Sequence, residues 1–361
     1  MKLVDEFRGS RVVKDLIRAI NESATGIYRF MEVCGGHTAA INRFGIKNLL
    51  GHNIELVSGP GCPVCVTGTG FIDKAVRLSG DEGNIVVTFG DLLRVPGSIS
   101  SLEKEKASGA DIRMVFSPLD ALRIAAEERS RKVIFLGIGF ETTAPGTAAT
   151  VMEAEKSGIN NFYVLVSHKF MPPAMEILIR DGTNVNGFIC PGHVAAITGS
   201  SIFDFIPEQF SIGCAVSGFE PVDILMSVLM LVNQVNRKNP NTAIQYKRAV
   251  SREGNITAKK MMAQVFEPVD MYWRGFGIIQ SGGMKLRGKY NRYNAELLLN
   301  ETIKDDCNEG ECRCGDILRG LIVPVQCPLF GSQCNPGNPS GACMVSAEGV
   351  CNAYFRYGRN E

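Results

Sequence analysis

No stretch of this 361-residue chain is apolar enough to cross a bilayer. The longest apolar run, ILMSVLMLV from Ile224 to Val232, falls far short of the roughly 20 residues a spanning helix needs. The opening MKLVDEFRGSRVVKDLIRAI interleaves charges and has no apolar h-region, so no secretory leader is expected and a cytoplasmic location is. An excess of either charge is also missing, with 38 Lys and Arg against 37 Asp and Glu. A general nucleic-acid binder needs a net basic surface, so neither nucleic acid nor membrane is an expected partner. Histidine is scarce, at four residues, and tryptophan is present once, as Trp273.

Cysteine is the exception to this sparseness. The chain has twelve, seven of them between Cys307 and Cys351, and a further trio, Cys34, Cys62 and Cys65, near the other end. In a reducing compartment such numbers point to metal binding or redox work rather than to a static disulfide framework.

Short β-branched runs, each followed by a Gly/Pro turn and a helix-compatible stretch, recur through the first two-thirds. The predicted strands are Ile27–Val33, Ile54–Ser58, Ile85–Phe89, Ile112–Phe116, Val133–Gly137, Phe162–Val166, Gly187–Cys190 and Phe210–Val216. Near-continuous hydrophobicity, as in VIFLGIGF, fits parallel strands buried on both faces. The pattern predicts an α/β protein. Eight units fit one (β/α)8 barrel or two open four-stranded sheets; lean units, and chemical residues in both halves, favour two similar open parallel-sheet domains. The expected division is an N-terminal helix packing on the body over 1–26, α/β domains over 27–130 and 131–232, and a cysteine-rich C-terminal domain over 233–361. Apolar contacts of the first helix are expected at Val12, Val13, Leu16, Ile17 and Ile20. The tail is rich in Gly and Pro and weakly periodic, so a bound metal is its expected organising element.

Functional groups of open parallel sheets gather at the carboxyl ends of the strands. There this sequence places Cys34-Gly-Gly-His37, Cys62-Pro-Val-Cys65, Asp91, Glu141, His168, Cys190-Pro-Gly-His193 and Glu220. A lone Cys after a strand is most often a small buried residue, and a lone His in a turn is usually just hydrogen-bonded. CxxC changes the balance, because its sulfurs can share a metal or form a reversible disulfide. Cys34-Gly-Gly-His37-Thr-Ala-Ala-Ile41 is echoed by Cys190-Pro-Gly-His193-Val-Ala-Ala-Ile197, one turn-to-helix device used twice. In the tail, irregular thiol spacing suits an Fe–S cluster better than structural zinc, which usually shows two close pairs; the single close pair here is Cys312-Arg-Cys314.

The motifs MEVCGGHT, GPGCPVC, TFGDLLRVPG, GFETT, PGHV, GFEP, RCGDILRG, CPLFG and MVSAEG together resemble the HypD family of [NiFe] hydrogenase maturation proteins, over essentially the whole length. The resemblance implies two similar α/β domains plus a third holding a [4Fe-4S] cluster, and a scaffold on which the Fe(CN)2CO group is assembled. It implies a small HypC-type chaperone and a HypE-type cyanide donor as partners, with the hydrogenase large subunit served indirectly. Carried over by motif, iron falls on Cys34, Cys62 and Cys65 with His37 beside it, and the cluster on Cys314, Cys327, Cys334 and Cys351. Cys307, Cys312 and Cys343 are surplus to that pattern. Asp91, Glu141, His193 and Glu220 become candidates for proton transfer or orientation. Two other readings stand beside the scaffold: an Fe–S-dependent disulfide reductase acting through Cys62/Cys65, and a zinc-stapled interaction protein.

Overall fold

The computed structural model describes residues 9–305 and 311–358. All eight expected strands form: β1 (Tyr28–Glu32), β2 (Ile54–Ser58), β3 (Asn84–Thr88), β4 (Ile112–Met114), β5 (Lys132–Gly139), β6 (Phe162–His168), β7 (Gly187–Pro191) and β8 (Gly213–Ser217). Three more follow, β9 (Thr242–Ile244), β10 (Phe266–Trp273) and β11 (Gly277–Leu286). Two open parallel sheets result, with orders β2-β1-β7-β8-β9 and β4-β3-β5-β6, beside an antiparallel β10–β11 hairpin. The barrel alternative is thereby excluded.

Strand membership corrects the expected boundaries. A cut between residues 130 and 131 passes through the four-stranded sheet, where β3 of one side pairs with β5 of the other. The five-stranded sheet instead joins β1 and β2 to β7, β8 and β9, with β1 pairing directly to β7 at Phe30↔Gly187 and Glu32↔Ile189. The smaller sheet is thus one continuous insertion between β2 and β7. Strands buried on both faces share one hydrophobic signature whichever sheet they enter, so periodicity alone cannot assign them. The boundary at 232 is displaced too: it falls inside the helix Pro221–Asn236, and β9 beyond it still belongs to the larger sheet.

The first helix, Ser10–Ser23, packs against Pro221–Asn236, burying Ile20 fully and Val13, Leu16 and Ile17 in part. Val12, also expected to be a contact, is 45% exposed, because it lies off this apolar stripe. The cysteine-rich C-terminal region is not a separate lobe. Its Ile317, Leu318, Met344, Val350 and Tyr354 belong to the same apolar core as Met31, Val57, Phe71 and Trp273. Apolar burial against the body therefore organises the tail where a metal was expected to do so alone.

Candidate functional site

β1 ends in Glu32-Val33 and delivers Cys34 to the N-cap of the helix Gly35–Arg43. β2 ends at Ser58 and runs into the loop carrying Cys62 and Cys65. The two loops lock together: Gly35 N–H donates to the Gly61 carbonyl at 2.9 Å, and any side-chain carbon on Gly61 would collide with the Cys34 backbone. Only glycine permits that approach. The tail closes the third side, since a side chain on Gly35 would strike Glu348. From the smaller sheet, Asp91 in the turn after β3 accepts from Ser346 Oγ at 2.9 Å, and Ser346 Oγ in turn accepts the Glu348 N–H at 3.2 Å. Cys34, Cys62, Cys65 and Asp91, far apart in sequence, thus surround one junction.

His37 and His193 join from the other flank. They stack on Phe219 with ring-centroid distances of 4.7 and 3.8 Å, and Phe219 abuts Gly36 beside the Cys34 sulfur. His37 Nε2 bonds the Gly218 carbonyl at 3.0 Å; burial lowers the ring to about 4, so it is neutral. Glu220 sits at the N-cap of Pro221–Asn236 in a reciprocal capping box with Asp223, a helix-terminating arrangement. Glu141, after β5, accepts the Met171 N–H at 3.0 Å on Oε1, leaves Oε2 without a partner, and is pushed up to about 7 by burial. Its bond ties it to the helix Met171–Arg180 rather than to the cysteines. His168 ends β6 as a buried neutral ring bonded to Thr147 Oγ1 at 2.9 Å.

Around Cys34 every anion is disfavoured. Burial, then Glu348 and Glu32, push its thiol up to about 12, against the pull of the Gly36 and His37 N–H groups. Burial holds Glu32 at about 7 although it accepts from Thr38 Oγ1 at 2.5 Å and from the Cys34 N–H at 3.1 Å. Burial and Asp91 raise Glu348. A cation placed among these groups relieves all three at once.

The remaining thiols form a buried row. Cys65 N–H donates to Cys62 Sγ at 3.3 Å, and the Cys65 thiol bonds both Cys62 and Cys343. Cys343 in turn bonds Cys351, whose N–H also reaches Cys343 Sγ at 3.4 Å. Donors from Cys351, Cys65 and the start of the helix Val350–Tyr357 lower Cys343 well below an ordinary thiol, while burial and thiol neighbours raise Cys65. Of the row, Cys343 is the thiol whose neighbours favour ionisation. Cys351 is raised by Cys343, burial, Cys314 and Cys312, in that order. Cys314 begins the short helix Cys314–Leu318, Cys327 follows the turn Pro324–Gln326, and Cys334 Sγ accepts the Ser340 N–H at 3.4 Å. Cys307 lies outside the described residues.

A soft, thiolate-held group fits this donor set in its chemistry: Cys314, Cys327, Cys334 and Cys351 are buried and form no disulfide. The sulfurs are not drawn to coordination distance; among the described residues no three Cys, His, Asp or Glu side chains are grouped to hold a metal ion. Four residues of the junction escaped the sequence reading, namely Glu32, Phe219, Glu348 and Cys343. Glu32 and Glu348 stood within quoted motifs, and a carboxylate inside a buried strand was the available signal for the first.

A parallel α/β body whose strand ends carry thiols, capped by a cysteine-rich tail, defines a buried multi-thiol protein. The HypD family model, described as the hydrogenase formation hypA family, matches residues 11–358, and the chain belongs to that family. Hydrogenase maturation factor HypD2 of Bradyrhizobium diazoefficiens is 45% identical over 99% of this chain and 97% of its own length. HypD of Escherichia coli K12 is 42% identical, covering 100% and 99%. A hydrogenase expression/formation protein of Methanocaldococcus jannaschii, named as putative, is 42% identical over 96% and 98%.

Proposed function

We propose that this hydrogenase maturation protein is the scaffold on which the Fe(CN)2CO group is assembled, in the cytoplasm, with a HypC-type chaperone and a HypE-type cyanide donor, before delivery toward the hydrogenase large subunit. The observation that carries the reading is the continuous row Cys62–Cys65–Cys343–Cys351, which runs from the Cys34 junction into the tail. Cargo iron is held by Cys34, Cys62 and Cys65, whose environment favours a cation and leaves further positions for CO and cyanide. His37, pinned by the Gly218 carbonyl and Phe219, fixes the helix that Cys34 heads.

Cleaving a thiocyanate, R–S–C≡N + 2e⁻ → R–S⁻ + CN⁻, breaks the S–C bond and consumes an electron pair. With the iron kept on Cys34, the Cys62 and Cys65 thiols supply that pair by closing to a disulfide, releasing two protons, and they ligate iron only when reduced. Cys343, the favoured thiolate, is placed to reopen it by attack on Cys65, forming a Cys65–Cys343 bond and freeing Cys62. Asp91 and Glu348, at the mouth of the junction, take up and return the protons. A [4Fe-4S] cluster held by Cys314, Cys327, Cys334 and Cys351 would supply one-electron equivalents to this row.

Infrared spectroscopy of anaerobically purified protein with its chaperone tests the reading; CO and CN⁻ stretching bands are expected. The same thiol row also favours an Fe–S-dependent disulfide reductase. Redox-active protein without those bands would establish that reading instead.

A further inference from the structure

Arg274 lies in the turn that joins β10 to β11, yet it is only 3% exposed. It stands in none of the motifs that carry the family resemblance. A guanidinium keeps its charge throughout the working pH range, and burying one is costly unless negative groups answer it. Three contacts fix where this cation sits. Its backbone N–H donates to the Val66 carbonyl at 2.9 Å, one residue beyond Cys65. Gly275, at φ +82°, brings the turn onto the backbone of Gly315, next to Cys314; a side-chain carbon there would lie 2.6 Å from the Gly315 Cα. The guanidinium itself reaches Gly341, where a side-chain carbon would lie 3.6 Å from Arg274 Nη2 and 3.4 Å from Cys312 Sγ. Cys312 and Cys314 both act on the Cys351 thiol, and Gly341 leads into the helix Ala342–Val345 that carries Cys343. One buried cation thus stands where the Cys62/Cys65 loop meets the thiols of the tail.

We infer that Arg274 is a built-in counter-charge for the thiolate-held group of the tail and keeps its reduction potential high. The inference rests on the [4Fe-4S] cluster proposed above for Cys314, Cys327, Cys334 and Cys351. Four thiolate ligands make such a group net negative, reduction adds a further electron, and net charge and surroundings set its potential. A permanent cation beside these sulfurs therefore favours the reduced form over the oxidised one. Burial strengthens that attraction, because little solvent or salt screens it. Arg313 supplies the contrast. It adjoins Cys314 in sequence, but its side chain is 50% exposed and bonds Asp316, so its field at the sulfurs is weak.

The test is a redox titration of the anaerobically purified full chain, followed by electron paramagnetic resonance, with iron and sulfide measured on the same samples. Arg274→Gln is expected to keep iron and sulfide and to lower the reduction equilibrium constant about tenfold, or about 59 mV for one electron. Arg274→Lys retains the charge and should recover most of that shift; Arg313→Gln should move the potential far less. Equal potentials in wild type and Arg274→Gln would overturn the inference. So would Arg274→Lys falling as low as Arg274→Gln, which would assign the effect to packing rather than charge. If Arg274→Gln loses its iron, Gly341→Asp is compared with Gly341→Asn, both of which keep the arginine. Position 341 is extended, at φ −152°, and a side-chain carbon there makes only ordinary contacts. The aspartate, pairing with Arg274, should lower the potential below that of the asparagine variant, and equal values would again overturn the inference. Wild type devoid of iron and sulfide would instead overturn the cluster assignment beneath it, and the inference with it.

Discussion

Cys34 and Cys343 both adjoin a helix N-terminus, yet their thiols are displaced in opposite directions. Cys34 receives the Gly36 and His37 N–H groups, but partial burial and the carboxyls of Glu348 and Glu32 outweigh them. Cys343 has no such carboxyl among its leading influences and gathers donors from two thiols and two backbone N–H groups. Helix ends alone therefore do not set thiolate character; the sign follows from what else shares the pocket. Around Cys34 the neighbours disfavour an anion; around Cys343 they favour one.

The sharpest break of this contrast exchanges the two sulfurs for inert atoms. Cys34→Ala is expected to abolish the CO and CN⁻ infrared bands while iron and sulfide in the tail persist; Cys343→Ser should keep iron at both places but lose reopening of an oxidised Cys62–Cys65 pair. Bands retained in Cys34→Ala would end the claim that it is an iron ligand. Next in size, Ser variants of Cys314, Cys327, Cys334 or Cys351 should each lose most tail iron and sulfide on analysis, whereas Cys312→Ser should not. Loss in Cys312→Ser with retention in Cys314→Ser would move the first ligand to Cys312.

Glu32 gives the Cys34 side a pH signature. Its folded value, about 7, is raised above the ordinary 4.5, so it favours folding fully below the lower value, and that contribution disappears as pH rises through 7. Urea unfolding of metal-free protein should therefore show wild type losing on the order of 3 kcal/mol more than Glu32→Gln between pH 4.5 and 8. Equal slopes would mean that Glu32 ionises normally. The smallest effect concerns the His37–Phe219–His193 stack: Phe219→Leu keeps apolar volume, removes both ring contacts, and should cost about 1–2 kcal/mol in the same assay.

Eight strands were readable because runs such as VIFLG and FICP are β-branched, apolar and bounded by turns. Which sheet each enters was not, since β1 has the same pattern whether its neighbour is β3 or β7. β9 lay hidden beyond a polar stretch, in three residues that are only half-buried. Of the site, Cys34, Cys62, Cys65, His37, Asp91 and His193 could be placed at strand ends from their spacing. Glu348 and Cys343 could not, because their positions beside Cys34 and Cys65 arise when the tail folds back onto the body. Glu220, placed at a strand end from its spacing, also caps the helix Pro221–Asn236.

The insertion of one sheet inside the other also orders events during synthesis. Residues 30–32 must wait for 187–189 before the larger sheet can close, and Cys343 and Glu348 emerge later still. Pairings so distant along the chain form slowly, and during synthesis the N-terminal parts fold first. A nascent chain thus carries Cys34, Cys62 and Cys65 past the ribosome exit without their third wall. On the function proposed above, iron loading waits until the tail has emerged and closed that wall.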